Sequence, residues 1–143
     1  MSSAKIVSKS IHINASTTKV WEALTHIDLM KQWMMDAEIE IKTTWKVGSP
    51  IVISGKMNGH FEYRGTVLVF EPEKNLKYNS WTKISRLPDK PENYSAVEFQ
   101  LTSIENHTKL TVTQSNLIAK AAYEHANFYW ASALNILKQL TET

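Results

Sequence analysis

Histidine, serine and acidic side chains are the groups of this sequence that could support catalysis or metal binding. No two of the histidines have the spacing of a helical zinc site such as His-x-x-x-His. The sequence contains no cysteine, which excludes disulfides and thiolate metal sites. We therefore expect no metal and no cofactor. The five histidines are His12, His26, His60, His107 and His125.

The remaining candidates for catalysis lie in ordinary strand positions. Ser54 and Ser80 fall within predicted strands, whereas a nucleophilic serine needs a strand-to-helix turn. Glu38 and Glu40 share a strand face opposite two isoleucines, so they are expected in solvent and not in a cleft. The four glycines form no phosphate-binding loop. We predict no catalytic residues.

Aromatic side chains carry the functional signal that remains, because aromatic residues make up 10% of the chain. Aromatic rings line small-molecule pockets, and buried tyrosine hydroxyls need hydrogen-bond partners. Two tyrosines facing one apolar space could therefore orient the polar end of a ligand, although packing in the core is the alternative for most of these rings. Asn127 could donate one further hydrogen bond or could lie in solvent. The predicted ligand-binding residues are Met57, Phe61, Tyr63, Tyr78, Phe99, Asn127 and Trp130.

Hydrophobic periodicity predicts the elements that would position these residues. A strand is expected over residues 6–14, followed by a helix capped by Ser16 or Thr17 and a second short helix capped by Asp28. From residue 38 to residue 113 apolar residues alternate with polar ones, and turn residues such as Asn58-Gly59 interrupt them. Residues 121–141 lack Gly and Pro and carry a helical apolar stripe.

This order predicts an α+β fold in which a curved antiparallel sheet of about six to seven strands wraps a long C-terminal helix. Each strand is apolar on one face only, so a single helix must cover the buried face. Gly55 and Gly65 fall where a bend or a close approach would leave no room for a side chain. In one strand, Phe61, Tyr63, Val67 and Val69 are predicted to share the buried face, and Arg64 is predicted to face outward.

Composition bounds the classes of protein to which the chain can belong. Its 143 residues suit a single domain over residues 1–143. Sixteen basic and fourteen acidic residues are interspersed, so we expect no nucleic-acid binding. No apolar run is long enough for a membrane span, and the N-terminus resembles no secretory signal, so we expect a cytoplasmic protein.

Several segments carry a resemblance to a known family. They are residues 11–16, 20–25, 65–67, 71–72, 76–81 and 108–113, with Leu29, Trp33, Trp130, Leu134 and Leu137. These segments resemble the SRPBCC superfamily of birch-pollen-allergen and START-like helix-grip proteins, and in particular its branch related to heat-shock chaperone ATPase activators. In this family a glycine often precedes the tryptophan of the last helix, whereas this chain has Tyr129 there, which is expected to narrow the cavity or to shift the helix outward.

The resemblance implies a helix-grip fold and leaves three functions open. The first is binding of a small apolar or amphipathic molecule between sheet and helix, without catalysis. The second is a protein-interaction module that associates with a chaperone, and the third is a cyclase-like or hydrolase-like enzyme that uses the same cavity. The apolar run Trp33-Met34-Met35 could be a lid over the cavity or a contact surface, and the chain could be a monomer or a homodimer.

Overall fold

A computed structural model describes residues 5–35, 37–56 and 59–142. Seven described strands form one antiparallel sheet in the order β1-β7-β6-β5-β4-β3-β2. The sheet curves around the last helix, so the predicted α+β helix-grip architecture is confirmed. The strands are β1 Lys5–Ile13, β2 Ile39–Thr43, β3 Pro50–Lys56, β4 His60–Glu71, β5 Asn75–Thr82, β6 Ser95–Ile104 and β7 His107–Leu117, and the helices are α1 Thr17–Thr25, α2 Ile27–Trp33 and α3 Lys120–Thr141.

Helix α3 crosses the concave face of the sheet and is anchored mainly by its C-terminal half. Leu134 and Leu137 are buried there, and the helix contacts β1, β7 and α1. The spacing of the buried positions follows the helical repeat, which is why one stripe of the helix faces the sheet throughout. The N-terminal half has fewer buried residues, Ala126 and Trp130 among them. This half covers the space described in the next section.

The pairing of β4 with β5 contains a bulge between Val67 and Val69. The extra residue reverses which side chains face inward after that point, so the prediction that Val69 shares the buried face with Phe61 is wrong. Phe70 points to the core instead, and its ring packs edge-on against Trp21 with 5.3 Å between centroids. A bulge cannot be read from simple alternation, because it adds one residue to one strand only.

Gly65 permits a close approach of β4 to β5 just before the bulge. A Cβ atom on this residue would lie 1.8 Å from the carbonyl oxygen of Asn79. The same asparagine accepts a hydrogen bond on Oδ1 from the amide of Thr66 at 2.7 Å. The two strands are therefore locked together where the sheet bends, and no residue with a side chain fits at position 65.

The two short helices are held in place by one side-chain cap and by an indole hydrogen bond. Ser16 caps α1 by accepting from the amide of Lys19, which confirms one of the two predicted caps. Asp28 is not the cap of α2, since that helix begins at Ile27 with His26 before it and Asp28 in its first turn. The indole of Trp33 donates to the carbonyl oxygen of Ala23 at 2.7 Å and so ties α2 to α1.

The last turn of α3 is tied to the end of β1 by Glu142. Its carboxylate accepts from the backbone amide of Asn14 at 2.7 Å and pairs with Lys138 at 2.5 Å. The same lysine donates to the carbonyl oxygen of His12 at 2.8 Å. These contacts, the Asn14 amide first and Lys138 second, lower the pKa of Glu142.

Within residues 5–35, 37–56 and 59–142, no helix has the length and hydropathy that a membrane crossing requires.

We predict that Gly65→Ala lowers the free energy of unfolding by about 3 kcal/mol, because the new Cβ would overlap rigid backbone. Gly48→Ala is the matched control, since that position has a positive φ of 89° but no atom within 4 Å of the new Cβ. It should cost only about 1 kcal/mol, for the backbone strain alone. Urea unfolding of both variants tests this, and equal losses would contradict the proposed clash.

We also predict that Glu142→Gln lowers the urea midpoint at neutral pH. The folded-state pKa of Glu142 lies below its ordinary value of 4.5, so the carboxylate stabilises the fold above that pH and the effect is lost as the pH falls through the lowered pKa. The gap between wild type and variant should therefore close on acidification. Glu124→Gln is the control, because Glu124 is exposed and its ion pair with Lys120 is long, at 3.8 Å. A gap independent of pH would count against the carboxylate.

Candidate ligand cavity

A cavity of about 520 Å³ lies between the inner face of the sheet and the N-terminal half of α3. Pockets for small molecules commonly measure about 300–1,000 Å³, so this volume is in the usual range. Its walls come from strands β3 to β7, the residues after α2, the segment 83–94 that joins β5 to β6, and the first three turns of α3.

The predicted ligand-binding residues divide between the cavity wall and other parts of the fold. Tyr63, Tyr78 and Trp130 line the cavity. Phe61 and Phe99 are buried in the core beside it and are not lining residues. Met57 lies outside the described residues.

Asn127 does not reach the cavity and is exposed to solvent. The residues of α3 that line the cavity are adjacent pairs that recur every four positions: Ala121 and Ala122, His125 and Ala126, and Tyr129 and Trp130. Asn127 is one residue, or about 100° of helix rotation, past Ala126 and so falls beside this stripe. The prediction that Asn127 faces the interior is therefore wrong, and the solvent position left open for it is the observed one.

Aromatic rings form the floor of the cavity. Phe99 is only 1% exposed, and its ring lies 6.4 Å from that of Tyr78 and 5.6 Å from that of Trp130, measured between centroids. Tyr129 packs edge-on against Trp130 at 4.8 Å. These contacts hold Tyr78 and Trp130 in fixed orientations, because rings in an interlocked cluster cannot rotate independently.

Three tyrosine hydroxyls at the cavity differ in whether they have a hydrogen-bond partner in the described protein. The hydroxyl of Tyr129 donates to the carbonyl oxygen of Met34. Those of Tyr63 and Tyr78 have no hydrogen-bond partner among the described residues, although both residues line the cavity. Burial raises the pKa of all three phenols, and for Tyr129 the neighbouring Tyr78 and Tyr63 raise it further. They are therefore neutral near pH 7.

In one wall of the cavity, a chain of hydrogen bonds fixes the orientation of the side-chain amide of Gln114. The indole of Trp130 donates to Gln114 Oε1 at 2.8 Å, and Gln114 Nε2 donates to the hydroxyl of Ser95 at 3.3 Å. Trp130 thereby connects α3 to β7, and Gln114 connects β7 to β6. Because the indole can only donate, it determines which end of the Gln114 amide faces it.

The segment between β5 and β6 forms one side of the cavity, and on its outer side it is attached to β4. Asp89 pairs with Arg64 on β4 and accepts from the hydroxyl of Tyr94 at 2.6 Å. The Tyr94 hydrogen bond and the Arg64 partner lower the pKa of Asp89. On the inner side, Asn116 Nδ2 donates to the carbonyl oxygens of Glu92 and Tyr94 at 2.9 and 2.8 Å. Arg64 thus faces outward, as predicted.

Several polar lining residues were not predicted, although alternation could have found them. Gln114 and Asn116 continue the inward period of Leu110 and Val112 along β7. Ser80 lies two residues after Tyr78 in the same way. The sequence left open whether Met34 and Met35 form a lid or a contact surface. Both residues line the cavity.

Among the described residues, no group of histidine, aspartate and glutamate side chains could hold a metal ion.

Solved structures similar to this chain share its fold over nearly its whole length. A protein of Cytophaga hutchinsonii, ChR145, is 32% identical with a TM-score of 0.79, and the match covers 96% of this chain and 94% of that one. The Aha1 dimer of Colwellia psychrerythraea is 28% identical with a TM-score of 0.74 and 96% coverage of both chains. Protein MLL2253 of Mesorhizobium loti is 26% identical with a TM-score of 0.78, over 95% of this chain and 96% of that one.

Sequence comparison gives the family directly. No curated protein matches the chain at a significant level. The family model described as "Activator of Hsp90 ATPase homolog 1-like protein" matches residues 14–142, which is most of the sequence. The chain belongs to this family of Hsp90 ATPase activator homologues, within the SRPBCC superfamily that its motifs resemble.

Proposed function

We propose that this protein binds a small apolar or amphipathic molecule in the cavity and does not transform it. The observation that carries the proposal is the pair of tyrosine hydroxyls, on Tyr63 and Tyr78, that line a cavity of about 520 Å³ without a partner in the described protein. Among the described residues, the buried side-chain polar atom without a partner is Asn75 Oδ1, so neither phenol oxygen is sealed off from the cavity. Each hydroxyl can therefore donate to or accept from a molecule that fills the cavity.

The rest of the wall supports binding of an apolar body. Ile51, Ile53 and Val97 provide aliphatic contacts, and Tyr129 and Trp130 provide aromatic ones. Transfer of apolar ligand surface from water to such a wall is favourable by about 25 cal/mol per Å². The two unpartnered phenols lie among these apolar contacts and would help to fix the direction of the ligand.

Binding without turnover accounts for the chemistry of the lining better than catalysis does. General acid–base catalysis needs a group whose pKa lies near the working pH. Burial moves the pKa values of Tyr63 and Tyr78 upward, away from neutrality. These phenols are therefore suited to donate or accept hydrogen bonds, and the cyclase-like or hydrolase-like alternative has less support.

Filling the cavity should abolish binding. Ala126 is buried and lines the cavity, so Ala126→Phe should lower the affinity for the neutral fluorophore N-phenyl-1-naphthylamine at least about tenfold by occupying its space. Ala131→Phe on the exposed side of the same helix is the control and should leave the affinity unchanged. Fluorescence titration measures both, and equal affinity of Ala126→Phe and wild type would reject the cavity as the binding site.

A protein-interaction role is the second candidate, and the outer face of α3 favours it. Phe128 is 78% exposed and Ile136 is 41% exposed on that helix. From residue 125 to residue 137 the helix contains no Lys, Arg, Asp or Glu. An exposed phenylalanine on an uncharged helix face is typical of a contact surface. The family description suggests the Hsp90 chaperone as the partner, and the dimer formed by the Colwellia relative suggests a second copy of the chain.

Phe128→Ser separates the two roles. If α3 contacts a partner, this variant should weaken stimulation of Hsp90 ATPase activity or shift the chain from dimer to monomer in analytical ultracentrifugation. It should leave N-phenyl-1-naphthylamine affinity unchanged, because Phe128 does not line the cavity. If wild type is monomeric and does not stimulate the ATPase, the interaction role is refuted.

A further inference from the structure

The described wall of the cavity carries no fixed charge. Its lining residues include no aspartate, glutamate, lysine or arginine. The one imidazole among them, His125, is exposed, and its ring stacks on Tyr129 with 6.2 Å between centroids. Arg64 and Asp89 lie on the outer side of the neighbouring segment and neutralise each other as an ion pair.

A ligand charge placed inside this cavity would have no opposite charge to meet. Moving an ionised carboxylate or ammonium group from water to an apolar site is costly unless it is paired and hydrogen-bonded. An amphipathic ion could avoid this cost by leaving its charged end at the mouth of the cavity. In that orientation its apolar end would face the buried Tyr78, and the hydroxyl of Tyr78 would remain without a partner.

The two unpartnered hydroxyls belong to tyrosines that are buried to different degrees. Tyr78 is only 5% exposed and packs against Phe99, the buried residue of the floor. Tyr63 is half-buried and packs against Phe61 at 5.9 Å. A phenol is both donor and acceptor, so this pair can satisfy either a carbonyl oxygen or a hydroxyl group.

We propose that the ligand is an uncharged, largely apolar molecule that carries a hydroxyl or carbonyl group, which Tyr63 and Tyr78 bind. This inference rests on the proposed binding function and adds the chemical class of the ligand. It selects against fatty-acid and amine amphiphiles, whose charge would have no opposite charge in the described wall.

A matched set of fluorescent three-ring probes tests the class of ligand. Anthracene, 9-anthracenemethanol, 9-anthracenecarboxylate and 9-(aminomethyl)anthracene share one ring system and differ at one substituent. At pH 7.5 the methanol should bind at least about tenfold more tightly than the carboxylate and the amine, since the ions lose either hydration or the phenol hydrogen bonds.

The double variant Tyr63→Phe/Tyr78→Phe tests the assigned hydroxyls. Removal of two unpartnered hydroxyls should leave the fold as stable as wild type, which thermal unfolding verifies. The affinity for 9-anthracenemethanol should fall about fivefold or more, while that for anthracene should not fall. Tyr123→Phe removes a phenol that does not line the cavity and should change neither affinity.

The outcomes separate the two levels of the proposal. If anthracene and its methanol bind but the carboxylate or the amine binds as tightly, the neutral-ligand inference is overturned and the binding function stands. If the preference for the methanol survives in the double variant, the assignment of Tyr63 and Tyr78 is overturned. If none of the four probes binds and N-phenyl-1-naphthylamine also fails to bind, the binding function itself is rejected.

Discussion

The packing of the C-terminal half of α3 against the sheet is the contact on which the rest of the structure depends. Leu134 and Leu137 bury this part of the helix against β1 and β7, and Glu142 ties its last turn to Asn14. The C-terminal half is therefore packed directly on the sheet. The N-terminal half is connected through Trp130 to β7 and through Tyr129 to the end of α2, and the cavity lies between this half and the sheet.

Two groups of polar side chains in the cavity have different roles. Gln114, Ser95 and the indole of Trp130 satisfy one another and connect α3 to β7 and β6. The hydroxyls of Tyr63 and Tyr78 have no such partners. The first set stabilises the wall, and the second is available to a ligand. The same distinction applies to Tyr129, which by contacting Met34 joins the wall to the end of α2.

Much of the fold could be predicted from local patterns, because helix and strand periods depend on which face of each element is buried. The pattern over residues 121–141 predicts a helix that the structure shows as Lys120–Thr141, and the Ser16 cap is confirmed by its hydrogen bond to Lys19. The errors have specific causes. The bulge after Val67 turned Val69 away from the core, and Asn127 lies one residue off the inward stripe of its helix.

By itself, the sequence determined the elements, their order and the apolar faces that had to be covered, since these follow from residue type and spacing. It also placed Tyr63, Tyr78 and Trp130 on the inner face. Only the tertiary structure decided which inward residues pack and which border open space. Phe61 and Phe99 meet neighbours on all sides, whereas Tyr63 and Tyr78 end at the cavity. That difference depends on how far α3 stands from the curved sheet, which is a distance between elements remote in sequence.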